Sequence, residues 1–358
     1  MRTNHSSGDF QMSTIAKKRI SLLVLLSISL VLAALLSVMI GPVFVHPLTI
    51  ISFWLEKLSF GLLHYDIQEM HRVIIMNIRM PRVVVAILVG MGLSASGAAM
   101  QGLFRNPMAE PYVLGMSSGA AAGASAAIVL GIGGVFGFYA VPAMAFITAV
   151  VTIFVVYSIA HTDGRVPTET LLLSGIAVGF FLQAAVSFLK LIAPMDALRD
   201  VVLWLMGSFA GVTWNDAAII VMPILGGLLT LCFLSRELNA FQFGEETAMH
   251  IGIEVELMKR ILLTATALIT AVAVSTAGII GFVGLVIPHV ARMLVGADQR
   301  IQLPVAALTG GIFLVLADTL ARSIAKPAEI PIGIITAAIG APYFVYLLRR
   351  RKHAMGWR

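Results

Sequence analysis

The residues best placed to do chemistry in this chain are few, because polar side chains are scarce. Arg79 and Arg82 stand three apart in "RMPR", and Arg322 lies in "ADTLARSIAKPAE". The turn "FRNPMAEP" brings Asn106, Met108 and Glu110 together between Pro107 and Pro111, which end the helices on either side. Residues 236–256, "RELNAFQFGEETAMHIGIEVE", carry five carboxylates in otherwise apolar surroundings. His46, His64 and His71 are scattered through a stretch near 42–78, where solvation is the ordinary role and contact with an iron complex the sharper one. His289 has no second histidine at ligand spacing, so it reads as a hydrogen-bonding group rather than a metal ligand, and no metal site is expected. Several chemistries are missing outright. There is no G-x-x-x-x-G-K-[ST] loop and no Gly-Lys pair, so the chain has no Walker-type ATP site. H-E-x-x-H and G-x-S-x-G are absent too, which removes the usual zinc proteases and serine hydrolases. The single Cys232 excludes an intrachain disulfide and a cysteine-based redox site.

The elements that must position these groups are membrane helices. Of 358 residues, 59% are hydrophobic and only 12% charged, with a mean hydropathy of +0.97. A soluble domain carries about 25% charged residues. Apolar runs near the length of a bilayer span recur along the chain, and ten are expected: 20–40, 80–104, 112–131, 138–160, 169–192, 214–234, 259–280, 282–296, 304–324 and 332–348. The run at 20–40 is long for a signal-peptide core and reads as a retained first span. The seventh and eighth spans are hard to divide, because only Gly and Pro interrupt "AGIIGFVGLVIPHVARML". The expected fold is therefore an all-α polytopic membrane protein of one domain, 1–358.

Charge sets its orientation. "KKR" at 17–19, "RRRK" at 349–352, and Arg105, Arg165, Arg236, Lys259, Arg260 and Arg300 fall at one face, which the positive-inside rule makes cytoplasmic. Both termini, with tails at 1–19 and 349–358, are then cytoplasmic. The net charge of +6 is explained by this clustering rather than by nucleic acid. Arg72, Arg79, Arg82 and Arg322 fall at the outer face, either as lipid-anchored snorkelling groups or as a basic rim for an acidic partner.

Residues 236–256 fall at the inner face. Gly244 precedes Glu245 and Glu246, which suit the first turn of a helix, and Gly252 suits its end. Two short helices with a glycine at each bend are expected. Phe241, Phe243, Met249 and Ile251 recur as apolar points, favouring a protein partner over an anionic lipid surface. A secondary transporter would use ionisable groups at mid-span, and the candidates, Lys190 and Asp318, fall near span ends. A membrane-embedded enzyme lacks a catalytic constellation.

Seven blocks in order then resemble the permease family of type II ABC importers of iron–siderophores, haem and cobalamin: "IRMPR", "GAAMQGLFRNPMAEPYVLGMSSGAA", "WLMGSFAG", "LNAFQFGEETAMHIGI", "AGIIGFVGLVIPHVAR", "LADTLAR" and "EIPIGIITAAIGAPYFVYLL". The resemblance implies a homodimer of ten-span subunits in the cytoplasmic membrane, two cytoplasmic ATP-binding subunits and an external substrate-binding protein. It implies that the chain is not itself an enzyme and holds no cofactor, ATP and Mg being used by the partner ATPase. It makes 236–256 the coupling helices, through Phe243, Gly244, Glu245, Glu246, Ala248 and Gly252. Arg79, Arg82 and Arg322 match arginines that meet the binding protein. Asn106 and Met108 match an inner gate, and Thr168 and Glu169 resemble a second gate layer. The fifth span and its extension through "APMDALRDVVLWLMG" would line the path at the dimer axis. The expected cargo is a ferric siderophore or haem, with cobalamin as the alternative. The stretch at 42–78 is longer than the family pattern, and Met108 stands where leucine is common.

Overall fold

The computed structural model describes residues 5–354 apart from 60, 61, 63, 133, 135 and 136. The outermost parts of both expected tails, 1–4 and 355–358, lie outside the described residues. The fold is all-helical; in bilayer hydrocarbon only a helix or a closed barrel satisfies every backbone N–H and C=O from within. In chain order the helices are α1 (His5–Met39), α2 (Pro47–Leu58), α3 (Glu69–Leu103), α4 (Met116–Val129), α5 (Ala140–Ala160), α6 (Thr168–Ile192), α7 (Met195–Leu205), α8 (Trp214–Phe233), α9 (Ser235–Phe241), α10 (Glu245–His250), α11 (Val255–Ala277), α12 (Val283–Val295), α13 (Gln299–Ile324) and α14 (Ile332–Ala354).

Seven of these are long and apolar enough to cross a membrane: α1 from Lys17, α3, α5, α6, α8, α11 and α13. Three shorter apolar helices, Met116–Val129, Val283–Val295 and Ile332–Leu347, occupy the other three expected positions. At about 1.5 Å per residue the 14-residue α4 covers about 21 Å, less than a hydrocarbon core of about 30 Å. Length alone therefore does not make each of the ten a full span.

The structure sharpens three boundaries of the sequence reading. The stretch at 42–78 is not a plain loop. It holds α2, capped by His46, whose Nδ1 accepts from the Leu48 N–H, and it runs into α3 eleven residues before the expected start of that span. A wide π turn over Ile74–Arg79 lets the helix pass from solvent-facing to buried registers just before Arg82. The fifth span ends at Ile192 as expected; Ala193 and Pro194 are extended, and the stretch beyond them is a separate helix, α7. The ambiguous seventh and eighth spans are divided at Gly278–Phe282, where Gly278 (φ +70°) and Phe282 (φ +68°) take left-handed conformations. Pro288, by contrast, sits inside α12 without ending it.

α3 is the buried axis of the molecule. A Cβ at Gly97 would run into the Gly284 carbonyl oxygen of α12, and one at Gly90 into the Gly310 carbonyl oxygen of α13. Such backbone-to-backbone approach is what small residues permit between membrane helices. α1, α5 and α6 lie at the other extreme, with most of their surface uncovered. Leu173, Ile176, Phe180, Phe181 and Phe188 of α6 are all exposed.

Candidate functional site

The site is built at the end of the molecule where α3 finishes and α13 starts. α8 ends at Leu234, and α9 follows with Leu238, Ala240 and Phe241 buried. Asn239 fastens α9 to the start of α13: its Nδ2 donates to Asp298 (2.9 Å), and its Oδ1 accepts from the Gln299 N–H (2.8 Å). Gln242 donates to the Ala297 carbonyl (2.9 Å). Asp298 also caps α13 and pairs with Arg19 at 3.2 Å. Burial raises the pKa of Asp298, but the Asn239 amide, the Arg300 N–H and the two arginine charges outweigh it and hold the carboxyl below its usual range.

The bend into α10 is made by Gly244, whose φ of +114° no L side chain adopts readily. Gly252 (φ +87°) closes the far end. Glu245 and Glu246 occupy the first turn of α10, and Ala248 is buried beneath it. Phe243 is 77% exposed, with Met249 and Ile251 exposed beside it. Two short helices with a glycine at each bend are thus present as the spacing required.

Glu245 is tied inward. It accepts from Lys259 at 2.6 Å and from the Thr168 hydroxyl at 3.3 Å. Lys259, expected as a topological cation near a helix start, is instead 4% exposed and also donates to the Val166 carbonyl (3.0 Å). Glu245, Glu254 and Glu256 line a groove of about 370 Å³ together with Arg165, Met249 and Leu257. The structure therefore brings Thr168, at the head of α6, onto the α10 carboxylate. Glu169, its neighbour, is exposed.

The turn 104–110 lies alongside. Asn106 accepts from the Met108 N–H (2.9 Å), closing a side-chain-capped turn, and Met108 is partly exposed. The space beside Gly244 ends on Arg105, whose Nη1 would be 3.5 Å from an added Cβ. Burial pushes the Glu110 carboxyl up to about 7.

The three outer arginines lie at the opposite ends of α3 and α13 and do not form an open rim. Arg79, Arg82 and Arg322 are 3%, 6% and 3% exposed. Asp318 accepts from Arg82 (2.8 Å) and from Arg322 (3.0 Å), and Glu329 accepts from Arg82 (2.8 Å). Arg322 also donates to Ser37, and Arg79 to the carbonyls of Val38, Met39 and Val43, which holds the end of α1 in place. The sequence reading named neither Asp318 nor Glu329 as their partner. The Asp318/Arg322 spacing of four residues was a visible signal; Arg82 lies 236 residues from Asp318 and gave none. Arg72 pairs instead with Glu56 (2.8 Å), beside which His64 is well exposed. Among the described residues no group of three or more His, Cys, Asp or Glu is arranged to hold a metal.

An all-helical bundle with seven helices long and apolar enough to cross a bilayer, a buried glycine axis and a glycine-bounded helix pair at one end has the form of a multi-pass membrane protein. The chain belongs to the FecCD transport family, whose model matches residues 29–350. Among its relatives, the cobalamin import system permease protein BtuC of Halobacterium salinarum is 48% identical over 290 residues, 81% of this chain and 77% of that one. The hemin transport system permease protein HmuU of Yersinia pestis is 40% identical over 279 residues, 77% and 83% of the two chains. A solved structure of a metal-chelate type ABC transporter in an inward-facing conformation superposes with a TM-score of 0.80 at 33% identity, covering 92% of this chain and 99% of that one. The protein is an ABC importer permease of this family.

Proposed function

We propose that this chain, as a homodimer, forms the membrane path for a large metal chelate, and that two cytoplasmic ATP-binding subunits drive it while an external binding protein delivers the cargo. The three shorter apolar helices complete a ten-helix subunit, with both termini cytoplasmic, on the charge distribution given above. The observation that carries the reading is the α9–α10 pair. Its apolar points Phe243, Met249 and Ile251 are exposed, while its base is fastened to α13 through Asn239 and to α6 and α11 through Glu245. Exposed apolar groups on a rigid mount are what a docking surface requires.

ATP hydrolysis belongs to the partner subunits. Their closure displaces α10 and biases the path between outward- and inward-open states, which transport requires because nucleotide must bind the two states unequally. Asn106 and Met108, with Thr168 and Glu169, are the inner gate on this reading. The uncovered face of α6 is the dimer surface lining the axis. Docking of a binding protein on the cluster of Arg79, Arg82 and Arg322 requires one of its carboxylates to exchange at Arg82 with Glu329, the more open acid there (35% exposed).

For cargo, the relatives named for cobalamin and hemin favour a metal held in a planar macrocycle, with a ferric siderophore as the third candidate. The test is reconstitution with the ATPase and binding-protein partners, followed by uptake of cyanocobalamin, hemin and a ferric siderophore in parallel. ATP-dependent uptake of one of them is expected. ATP hydrolysis by the isolated permease, or gradient-driven uptake without the ATPase, would overturn the assignment.

A further inference from the structure

Outside the residues assigned above, Lys259 is a buried cation with partners on several elements. It is a nearly closed-off ammonium on the second turn of α11, and it meets groups from three separate elements. Glu245 Oε2 of α10 lies 2.6 Å away, the Val166 carbonyl of the lead into α6 lies 3.0 Å away, and Glu256 Oε1 of its own helix lies 3.5 Å away. The same lead is held twice more. The Val166 N–H donates to Glu256 Oε2 (3.2 Å), and the Thr168 hydroxyl donates to Glu245 Oε1 (3.3 Å). A tight hairpin, with Thr162 and Arg165 paired across Asp163 (φ +51°) and Gly164 (φ +78°), turns the chain so that Val166 points back to this lysine.

We propose that Lys259 is the positioning residue that hands displacement of α10 on to α6. The inference rests on the reading of 236–256 as the ATPase-coupling pair and names the route from that pair into the membrane. The physical reason is the burial. A desolvated ammonium is tolerated only while it is paired and hydrogen-bonded, so parting it from Glu245 or from the Val166 carbonyl is costly. Its three N–H donors are directed at α10, at the α6 lead and towards Glu256. When α10 moves, the ion pair moves as a unit and takes residues 166–168 with it. Those residues lead into the helix whose far surface is uncovered and end on its first residue, Thr168. A neutral side chain of similar length would fill the space without linking the parts.

The experiment uses the full complex with its ATPase subunits, Cys232→Ser as background, and a spin label at Leu173→Cys on each copy of α6, an exposed position beyond the Lys259 contact. The distance between the two labels is measured with and without ATP, magnesium and vanadate. In the parent and in Lys259→Arg, nucleotide is expected to shift that distance. In Lys259→Met the shift is expected to be lost although the ATPase subunits still copurify. Glu245→Gln, at the more exposed end of the pair, gives the same comparison if the Lys259→Met complex does not assemble. A full shift in either neutral variant overturns the proposal, since a merely structural lysine would leave the nucleotide response intact in any complex that assembles. If the parent itself shows no shift, the coupling reading falls, and this route with it.

Discussion

Asp318 and Arg82 meet at 2.8 Å although 236 residues separate them, and the same carboxylate also takes Arg322 from the next turn of its own helix. One buried acid thus pairs with two guanidinium groups where α1, α3 and α13 converge, with Glu329 supplying a second carboxylate to Arg82. Its role is structural; a carboxylate committed to two arginines is a poor proton carrier. Asp318→Asn is expected to lower stability by about 3–5 kcal/mol, because it leaves charge uncompensated in a desolvated place. Glu329→Gln, at the wetter edge, should cost no more than about 1 kcal/mol. Apparent melting temperatures of the two variants in detergent check the contrast, and equal losses would contradict it.

The same edge gives a binding prediction. With Glu329 neutralised, Arg82 keeps Asp318 but loses its second acid, so the patch becomes more positive. Capture of the external binding protein by Glu329→Gln is expected to be tighter than by the parent at low salt and to converge with it as salt rises. Surface-immobilised complex and graded salt would measure this.

Phe243 separates docking from folding. It is largely exposed, so Phe243→Ala should change stability by less than about 0.5 kcal/mol. Loss of an exposed aromatic anchor from an interface costs about 2 kcal/mol or more, and retention of the ATPase subunits on affinity purification should fall accordingly. Unchanged retention would remove Phe243 from the docking surface.

Glu110 supplies a pH dependence. Its carboxyl is raised from an ordinary 4.5 to about 7 by burial, so the folded state holds the proton more tightly than the unfolded chain does. Stability from this group is then full below 4.5 and is lost as pH rises through about 7. Glu110→Gln should leave the melting temperature unchanged at pH 4.5 and raise it above that of the parent at about pH 8. A parallel pair of melting-temperature curves would refute this.

Gly97 and Gly226 make a matched pair. Gly97→Ala forces a methyl into the Gly284 carbonyl and is expected to abolish stable expression, or to cost at least the roughly 1–3 kcal/mol of an overpacked core. Gly226→Ala meets nothing within 4 Å on an exposed helix face and should be neutral or stabilising by up to about 1 kcal/mol. Expression level and thermal stability read both.

What could be read in advance followed from local rules. Gly244 and Gly252 announced themselves because the bends around α10 need positive φ, and the spans because hydropathy has no other outlet in lipid. The partners of the arginines were hidden, since ion pairs between distant helices leave no local pattern. Lys259 looked like a topological cation because hydropathy cannot see that α11 starts four residues earlier, at Val255, and carries the lysine inward.

The glycine contacts of α3 have a mechanical side. Where two helices touch through side chains, a change of rotamers can let one slip past the other. Between Gly97 and Gly284, and between Gly90 and Gly310, no such layer exists, so at these two points α3 cannot slip past α12 or α13 by changing rotamers. Any stroke delivered at α10 is then absorbed in the thinly covered half, α5 and α6, against a frame that cannot shear.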